Sequence, residues 1–472
     1  MESNQQMKKL YIIGICGKTT SAVAFMFKEM GYIVSGSDSN RYPPISTFLD
    51  ENEINFATSY NEENIAKFNP DIVLVGGSAT YVLSDNPETR WATKNSKQIL
   101  TYPEILQKYV VKGNSIVVTG TYGKGTISAM LTWILETAGL NPSFMIGGIP
   151  INFGNGIRNT DSNISVIEGD EYIAGSLDGN VQSKFFYYNP THLIITSMQW
   201  DHLDIFKTAK AYIDNFQKLI NTLPEKSVLV TNNEGENIEK LNIKSETLHL
   251  EYGKDSKISF EDVKYIDGQI TYKVVFGNET INIVSNFFGE HNIKNSLAAI
   301  IMAKQLGVSN DNIEKAFLTY KHLKSHQELL ETVNGVKVYS DLAHSAVKAK
   351  ETIKSFCQVF DSSRIIVVFD IYAPSMKIKE SLGWFDNVFG QIKSLYIPKV
   401  VAVKNENGFI TGKDIVSAIK KTYKKVVYIP DEVNLAKTIA SDANSGDVVI
   451  YMSSGDVSKK VNLLKKFIDE KI

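Results

Sequence analysis

The run Ser115-Ile116-Val117-Val118-Thr119-Gly120-Thr121-Tyr122-Gly123-Lys124-Gly125-Thr126 decides how this chain is read. Its apolar, β-branched start predicts a buried strand from Ser115 to Thr119, and the stretch from Thr126 to Thr137 predicts a helix leaving the loop. Glycines let backbone N–H groups turn inward, a helix N-terminus adds partial positive charge, and Lys124 adds a full one. A bare G-x-x-G-K also fits a tight turn with a surface lysine. The flanking strand and helix favour a phosphate cradle made by Gly120, Thr121, Gly123, Lys124, Gly125 and Thr126. In such a loop the residue after the lysine carries a hydroxyl for magnesium. Here Gly125 stands there, and Thr126 is turned by roughly 100° along the helix.

The same strand–glycine–helix grammar flanks this run on both sides. Upstream, residues 9–15 form an apolar run into the loop Gly14-Ile15-Cys16-Gly17, followed by a helix from Ser21 to Met30. Strands follow at Tyr32 to Val34, which leads to Gly36-Ser37-Asp38, and at Asp71 to Val75. Downstream, strands are predicted at Ile164 to Ile167 and His192 to Thr196, antiparallel hairpins over 245–286, and a helix from Asn292 to Leu306. A third restart comes at Gly335 to Ser340, with strands at Ile365 to Phe369, Val400 to Val403 and Val448 to Tyr451. Strands alternating with helices predict an α/β protein. Three successive α/β domains with mainly parallel sheets are expected, at 1–110, 111–326 and 327–472, with a small antiparallel part in the middle one.

Composition narrows the function classes. A chain of 472 residues has room for two to four domains, and 43% apolar with 22% charged residues excludes long disorder. Lys plus Arg (50) nearly balances Asp plus Glu (52), so no global basic field exists to hold nucleic acid or an anionic membrane. No apolar run reaches the roughly 20 residues of a membrane span. The start lacks a signal-peptide pattern, and two cysteines, Cys16 and Cys357, make no disulfide framework. A cytoplasmic location is expected.

Other polar clusters close strands. Glu168-Gly169-Asp170-Glu171 reads either as a solvated acidic turn or, beside a phosphate loop, as the place for a magnesium site. Asp201-His202-Leu203-Asp204 follows a strand end, where α/β sites collect; His202 reads as a metal ligand, a phosphate-orienting group or a structural histidine. In His291-Asn292-Ile293-Lys294-Asn295 the two asparagines lie one turn apart. Asn292 caps the helix, or the amides hold a base or ribose; both readings stand.

Together these residues resemble the Mur ligases, the ATP-dependent amide-forming enzymes of peptidoglycan synthesis, over nearly the whole chain. Gly120-Thr121-x-Gly123-Lys124 is similar to the family's ATP loop. Glu168-x-Asp170-Glu171-Tyr172, Asp201-His202-x-Asp204 and Gly289-Glu290-His291-Asn292-x-x-Asn295 resemble its next signatures, and Tyr339-Ser340-Asp341-Leu342-Ala343-His344 its D-D-F-A-H-H-P segment. Gly14-Ile15-Cys16-Gly17, Gly36-Ser37-Asp38, Tyr42-Pro43-Pro44-x-Ser46-Thr47 and Gly147-Gly148-Ile149-Pro150-x-Asn152-Phe153 resemble the branch that recycles murein tripeptide, with the L-alanine-adding branch next.

The resemblance implies a division of labour. The first domain would hold a UDP-sugar through Gly14, Ile15, Cys16, Gly17, Ser37 and Asp38. The second would bind ATP through the phosphate loop with His291, Asn292, Asn295 and Asp341, and magnesium through Glu168, Glu171 and His202. The third would bring the amino acid or peptide and close over the nucleotide. Lys124, Glu171, His202, Lys324 and His344 would be catalytic, in phosphorylation of a carboxylate, attack by an amine and loss of phosphate. A monomer or homodimer is expected.

Departures from the family pattern touch the chemistry. They are Gly125, Lys324-Ser325-His326-Gln327-Glu328 in place of an arginine-rich segment, and Ser340, Ser345 and Ala346. The segment from Asp370 to Lys377 lacks the branch's arginine, Met452 to Val457 differs, and an insertion lies around Ala174 to Val181. These motivate an alternative: a catalytically impaired paralogue that binds a UDP-sugar or nucleotide in a regulatory or partner-binding role. A dinucleotide-dependent oxidoreductase, suggested by the first glycine loop and Asp38 alone, leaves the central loop unexplained. Lys18 after the first loop adds a charge at a helix N-terminus and makes Gly14 to Thr20 imitate a second ATP loop.

Overall fold

The computed structural model describes residues 7–41, 45–76, 86–174, 181–202, 205–266, 269–371, 374–377, 379–400 and 410–471. Tyr42 to Pro44, Asp204, Tyr372 and Ala373, and most of the insertion near Ala174 to Val181 lie outside them. The chain divides into two compact units. One comprises 1–261, 273–283 and 294–321; the other comprises 262–272, 284–293 and 322–472.

The first unit holds two sheets. In the N-terminal one, the strands Phe56–Ala57, Ile33–Ser37, Lys9–Ile13, Ile72–Val75 and Ile99–Thr101 lie in that order, all parallel. Leu10, Ile12, Val73 and Leu74 are wholly buried, as strands covered on both faces require. The larger sheet runs Leu248–Tyr252, Val228–Asn232, His192–Ile195, Asn114–Thr119, Ile164–Glu168, Ser143–Met145 and Ile157–Arg158. All its pairings are parallel except the last.

Asn114–Thr119 lies between His192–Ile195 and Ile164–Glu168, which the chain reaches by crossovers to opposite sides. A strand flanked in this way ends in the crevice where open α/β sheets bind ligands. Three motifs distant in sequence therefore end at adjacent carboxyl tips.

The expected hairpins over 245–286 are partly corrected. Leu248–Tyr252 is a parallel strand at the edge of the large sheet, and only Ile258–Ile266, Gln269–Phe276 and Glu279–Ser285 form the three-stranded sheet. The division between the units passes through that sheet and through the helix Glu290–Gln305.

The second unit's main sheet runs Glu328–Val333, Val336–Asp341, Val448–Met452, Ile365–Phe369, Ser394–Ile397 and Val426–Tyr428. Its first pair is antiparallel and the rest parallel. The strand expected at Val400 to Val403 lies instead at Ser394–Ile397, and residues 401–403 are outside the described set.

Candidate active site

Local sequence builds the central loop. Gly120 has φ +117°, and a Cβ there would meet Thr196 Oγ1 at 2.4 Å and the Ser197 amide at 2.9 Å; Gly123 has φ +80° and its Cβ position lies 2.5 Å from Asn295 Oδ1. Side chains are excluded at both places by backbone conformation and by neighbours. The helix starts at Lys124, earlier than the expected Thr126, and runs to Thr137. The first N–H groups of a helix have no intrahelical partner. They are what the loop offers to an anion. Thr126 is buried in the first turn of that helix, two residues after Lys124.

Lys124 turns back over the loop. Its Nζ donates to the Gly120 carbonyl at 2.6 Å and lies 3.0 Å from Glu171 Oε2. Glu171, from the tip after Ile164–Glu168, is fully buried. Its Oε1 lies 3.4 Å from His202 Nε2 and accepts the Tyr212 hydroxyl at 3.1 Å. Burial pushes the Glu171 carboxyl up, but the His202 hydrogen bond and the Lys124 charge outweigh it and hold it below its usual range. The hydrogen bond to Glu171 reciprocally raises His202. His202 itself has φ +53°, a left-handed conformation uncommon for a non-glycine residue.

Asp170 completes a group with Glu171 and His202 in which one ligand atom from each lies within 4.8 Å of the others. Glu168, expected as a metal ligand, is not in that group: its Oε2 accepts the Gly147 amide at 2.6 Å, and burial raises its pKa. Asp170 was not among the expected ligands, although it lay within the acidic run.

Lys184 and Tyr212 were missed entirely. Lys184 Nζ binds Asp170 Oδ2 at 2.7 Å, and Tyr212 sits on a helix whose buried Tyr212, Phe216, Leu219 and Ile220 read only as a core stripe. A cavity of about 600 Å³ opens on this group, with Thr19 and Thr20 in its wall as well as Lys124, Glu168, Asp170 and His202.

The first glycine loop is built differently. The amides of Gly14 and Ile15 donate to the Ser37 carbonyl at 2.8 and 3.1 Å, and the Cys16 amide donates to Asp38 Oδ2 at 2.9 Å. The Gly17 amide reaches the Gly14 carbonyl at 3.4 Å. The amides of the four residues expected to face a diphosphate thus donate within the loop and to Ser37 and Asp38. Ser37 is anchored by Glu88, a wholly buried carboxylate that also accepts from Tyr11 and the Asn61 amide.

Lys324, Asp341, His344, His291 and Asn292 belong to the second unit. Asp341 is buried and accepts from the Gln327 amide, the Ala343 amide and the Thr352 hydroxyl at 3.0–3.1 Å. Asn292 is no cap: it lies inside the helix and its Nδ2 donates to the Phe288 carbonyl at 3.0 Å. Lys324 is exposed, and His291 is also exposed. His344 Nδ1 lies 2.8 Å from the Leu342 carbonyl. Asn295 packs against Gly123 within the first unit.

Among the described residues, no helix is long and apolar enough to cross a membrane.

Three segments match known domains in order. Residues 9–112 match the Mur ligase family catalytic domain, 118–303 the Mur ligase middle domain, and 327–455 the Mur ligase glutamate ligase domain. The chain is 35% identical over 398 residues to a UDP-N-acetylmuramate–L-alanyl-γ-D-glutamyl-meso-2,6-diaminoheptandioate ligase of Haemophilus influenzae, covering 81% of this chain and 85% of that protein. With the Escherichia coli enzyme of the same name it shares 29% over 462 residues, 95% of each. In fold it is similar to the UDP-N-acetylmuramate-alanine ligase of Thermotoga maritima, with TM-score 0.76 at 20% identity over 98% of this chain and 99% of that one. Whole-length similarity, three domain matches in order and the lysine loop at the tip of the large sheet agree: the chain belongs to the Mur ligase family.

Proposed function

We propose that this protein is an ATP-dependent, ADP-forming ligase that joins the carboxylate of UDP-N-acetylmuramate, or a closely related acid, to an amino acid or peptide, with the murein tripeptide as the favoured amine. The carrying observation is the Lys124–Glu171–His202 cluster, set beside Asp170 at neighbouring strand tips and opening on one cavity. The relatives' names support the acid and the amine class. They give no support to the binding-only alternative.

The donor set fits a divalent cation. Two carboxylates and an imidazole converge, and carboxylate oxygens suit magnesium. Asp170, Glu171 and His202 would hold it, where it would neutralise phosphate charge. ATP phosphates would lie on the free amides at the start of the helix Lys124–Thr137, with Lys124 leaving Glu171 to meet them. Tyr212 and His202 keep the Glu171 carboxylate oriented meanwhile. Bringing two anions together is the hard part of such a reaction, so fixed cations should supply most of the rate. A cytoplasmic setting is part of this reading, and both cysteines are unpaired.

The test is phosphate release from ATP with magnesium, UDP-N-acetylmuramate and the tripeptide. Release that requires both acid and amine is expected. UDP-sugar binding without any release would overturn the ligase reading in favour of the impaired paralogue.

A further inference from the structure

The cavity that opens on the lysine loop carries three carboxylates in its wall, Glu168, Asp170 and Asp201, and two cationic side chains, Lys124 and Lys184. A ligase has to hold two anions there at once, a phosphoryl group and the carboxylate it is to activate. Each needs its own counter-charge in a site walled by acids. Lys124 belongs to the phosphate loop through Gly120 and Glu171. Lys184 is the other Lys or Arg among the lining residues, and no motif singles it out.

Lys184 is also pre-set. It opens a short 3₁₀ turn, Lys184–Tyr188, whose start is fastened by its own amide to the Tyr172 carbonyl at 3.1 Å and by the Phe185 amide to the Asp170 carbonyl at 3.3 Å. Its ammonium lies 2.7 Å from Asp170 Oδ2 and 5.7 Å from the Tyr172 ring centroid. The side chain keeps 26% of its exposure. One of its three N–H donors serves Asp170, which leaves donors for a ligand in the cavity.

Resting on the ligase reading, we propose that Lys184 binds the carboxylate of the acid substrate, as the second lysine of the site. Asp170 then has two tasks: it fixes the lysine, and it belongs to the metal-binding group.

A purely structural Lys184 would only neutralise Asp170, and the two roles separate by chemistry. The probes are UDP, UDP-N-acetylmuramate and the same sugar nucleotide with its lactyl carboxylate converted to a carboxamide. Each is titrated by calorimetry into the full chain as wild type, Lys184→Met and Lys184→Arg. Wild type should prefer acid over amide by about tenfold or more, the range of a charge-assisted hydrogen bond. Lys184→Met should bring that ratio to within about twofold while UDP binds as before, and Lys184→Arg should keep most of it.

If Lys184→Met retains the acid preference with UDP binding intact, the assignment is overturned and the ligase reading stands. If wild type binds neither sugar nucleotide, the ligase reading itself fails and this inference with it. Should Lys184→Met not fold, Asp170→Asn/Lys184→Met removes both members of the ion pair and carries the same comparison, because loss of both partners leaves neither charge unpaired.

Discussion

Two loops of this molecule share one sequence grammar and end in different chemistry. Gly14-Ile15-Cys16-Gly17-Lys18 and Gly120-Thr121-Tyr122-Gly123-Lys124 each follow a buried parallel strand and open a helix. In the first, the amides bind Ser37 and Asp38 from the neighbouring strand, and the lysine stands exposed. In the second, the lysine is drawn in by Glu171, a buried carboxylate from the adjacent strand's tip. A glycine loop with a lysine is therefore only half of a phosphate site. What the next strand delivers at its carboxyl end, an acceptor for the amides or an acid for the lysine, decides the rest.

The comparison is broken most directly by removing the two lysines. Lys124→Met should lower the rate of substrate-dependent phosphate release by about 10²–10³, the loss expected for one fixed electrostatic donor, whereas Lys18→Met should stay within about threefold. Equal losses would mean that both loops carry phosphate.

The buttress of the first loop should act on stability. Glu88→Ala strips partners from Ser37, Tyr11 and the Asn61 amide in a buried setting, and a cost of about 3 kcal/mol in urea unfolding is expected. A change under about 1 kcal/mol would show that the first loop stands without it.

Gly125→Thr sharpens the second loop. It restores a hydroxyl directly after Lys124, and the magnesium concentration for half-maximal activity should fall several-fold, worth about 1 kcal/mol. An unchanged magnesium requirement would show that Asp170, Glu171 and His202 suffice without it.

The smallest effect is in pH. The folded state raises His202 above its ordinary 6.5 through Glu171. Its contribution to stability is full below about 6.5 and is lost as pH rises through the raised value, because there the native state binds the extra proton. In chelator-treated protein, the thermal midpoint of wild type should therefore decline over that window relative to His202→Gln. Parallel profiles would show that the pair does not form in solution.

How much of this was legible follows from where the information lies. The buried strands Lys9–Ile13, Asn114–Thr119, Ile164–Glu168 and His192–Ile195 announce themselves as short β-branched runs, each with a polar or glycine tip. The helix at Lys124 is expected two residues late, at Thr126, because its first residues are the loop itself. Strands such as Phe56–Ala57 and Ile157–Arg158 are two residues long and carry no period to detect. Leu248–Tyr252 is an edge strand with mixed exposure, which in sequence looks the same as a hairpin arm.

Within the site, Lys124, Glu171 and His202 were visible through their motifs. The convergence of Asp170 with Glu171 and His202 was not: Glu168 and Asp170 lie in one acidic run and both line the cavity, and only the folded chain shows Glu168 held by the Gly147 amide and Asp170 by Lys184. Lys184 and Tyr212 reach the site through tertiary contacts alone.

On the proposed function, the resting contact between Lys124 and Glu171 would make nucleotide entry a competition. A visiting anion has to outbid a resident carboxylate for the same ammonium. A lone phosphate, offering little beyond what Glu171 already provides, gains almost nothing. A polyphosphate that also engages the helix-start amides gains several contacts for the one it displaces. On the proposed function, the same carboxylate would take the lysine back once the nucleotide leaves.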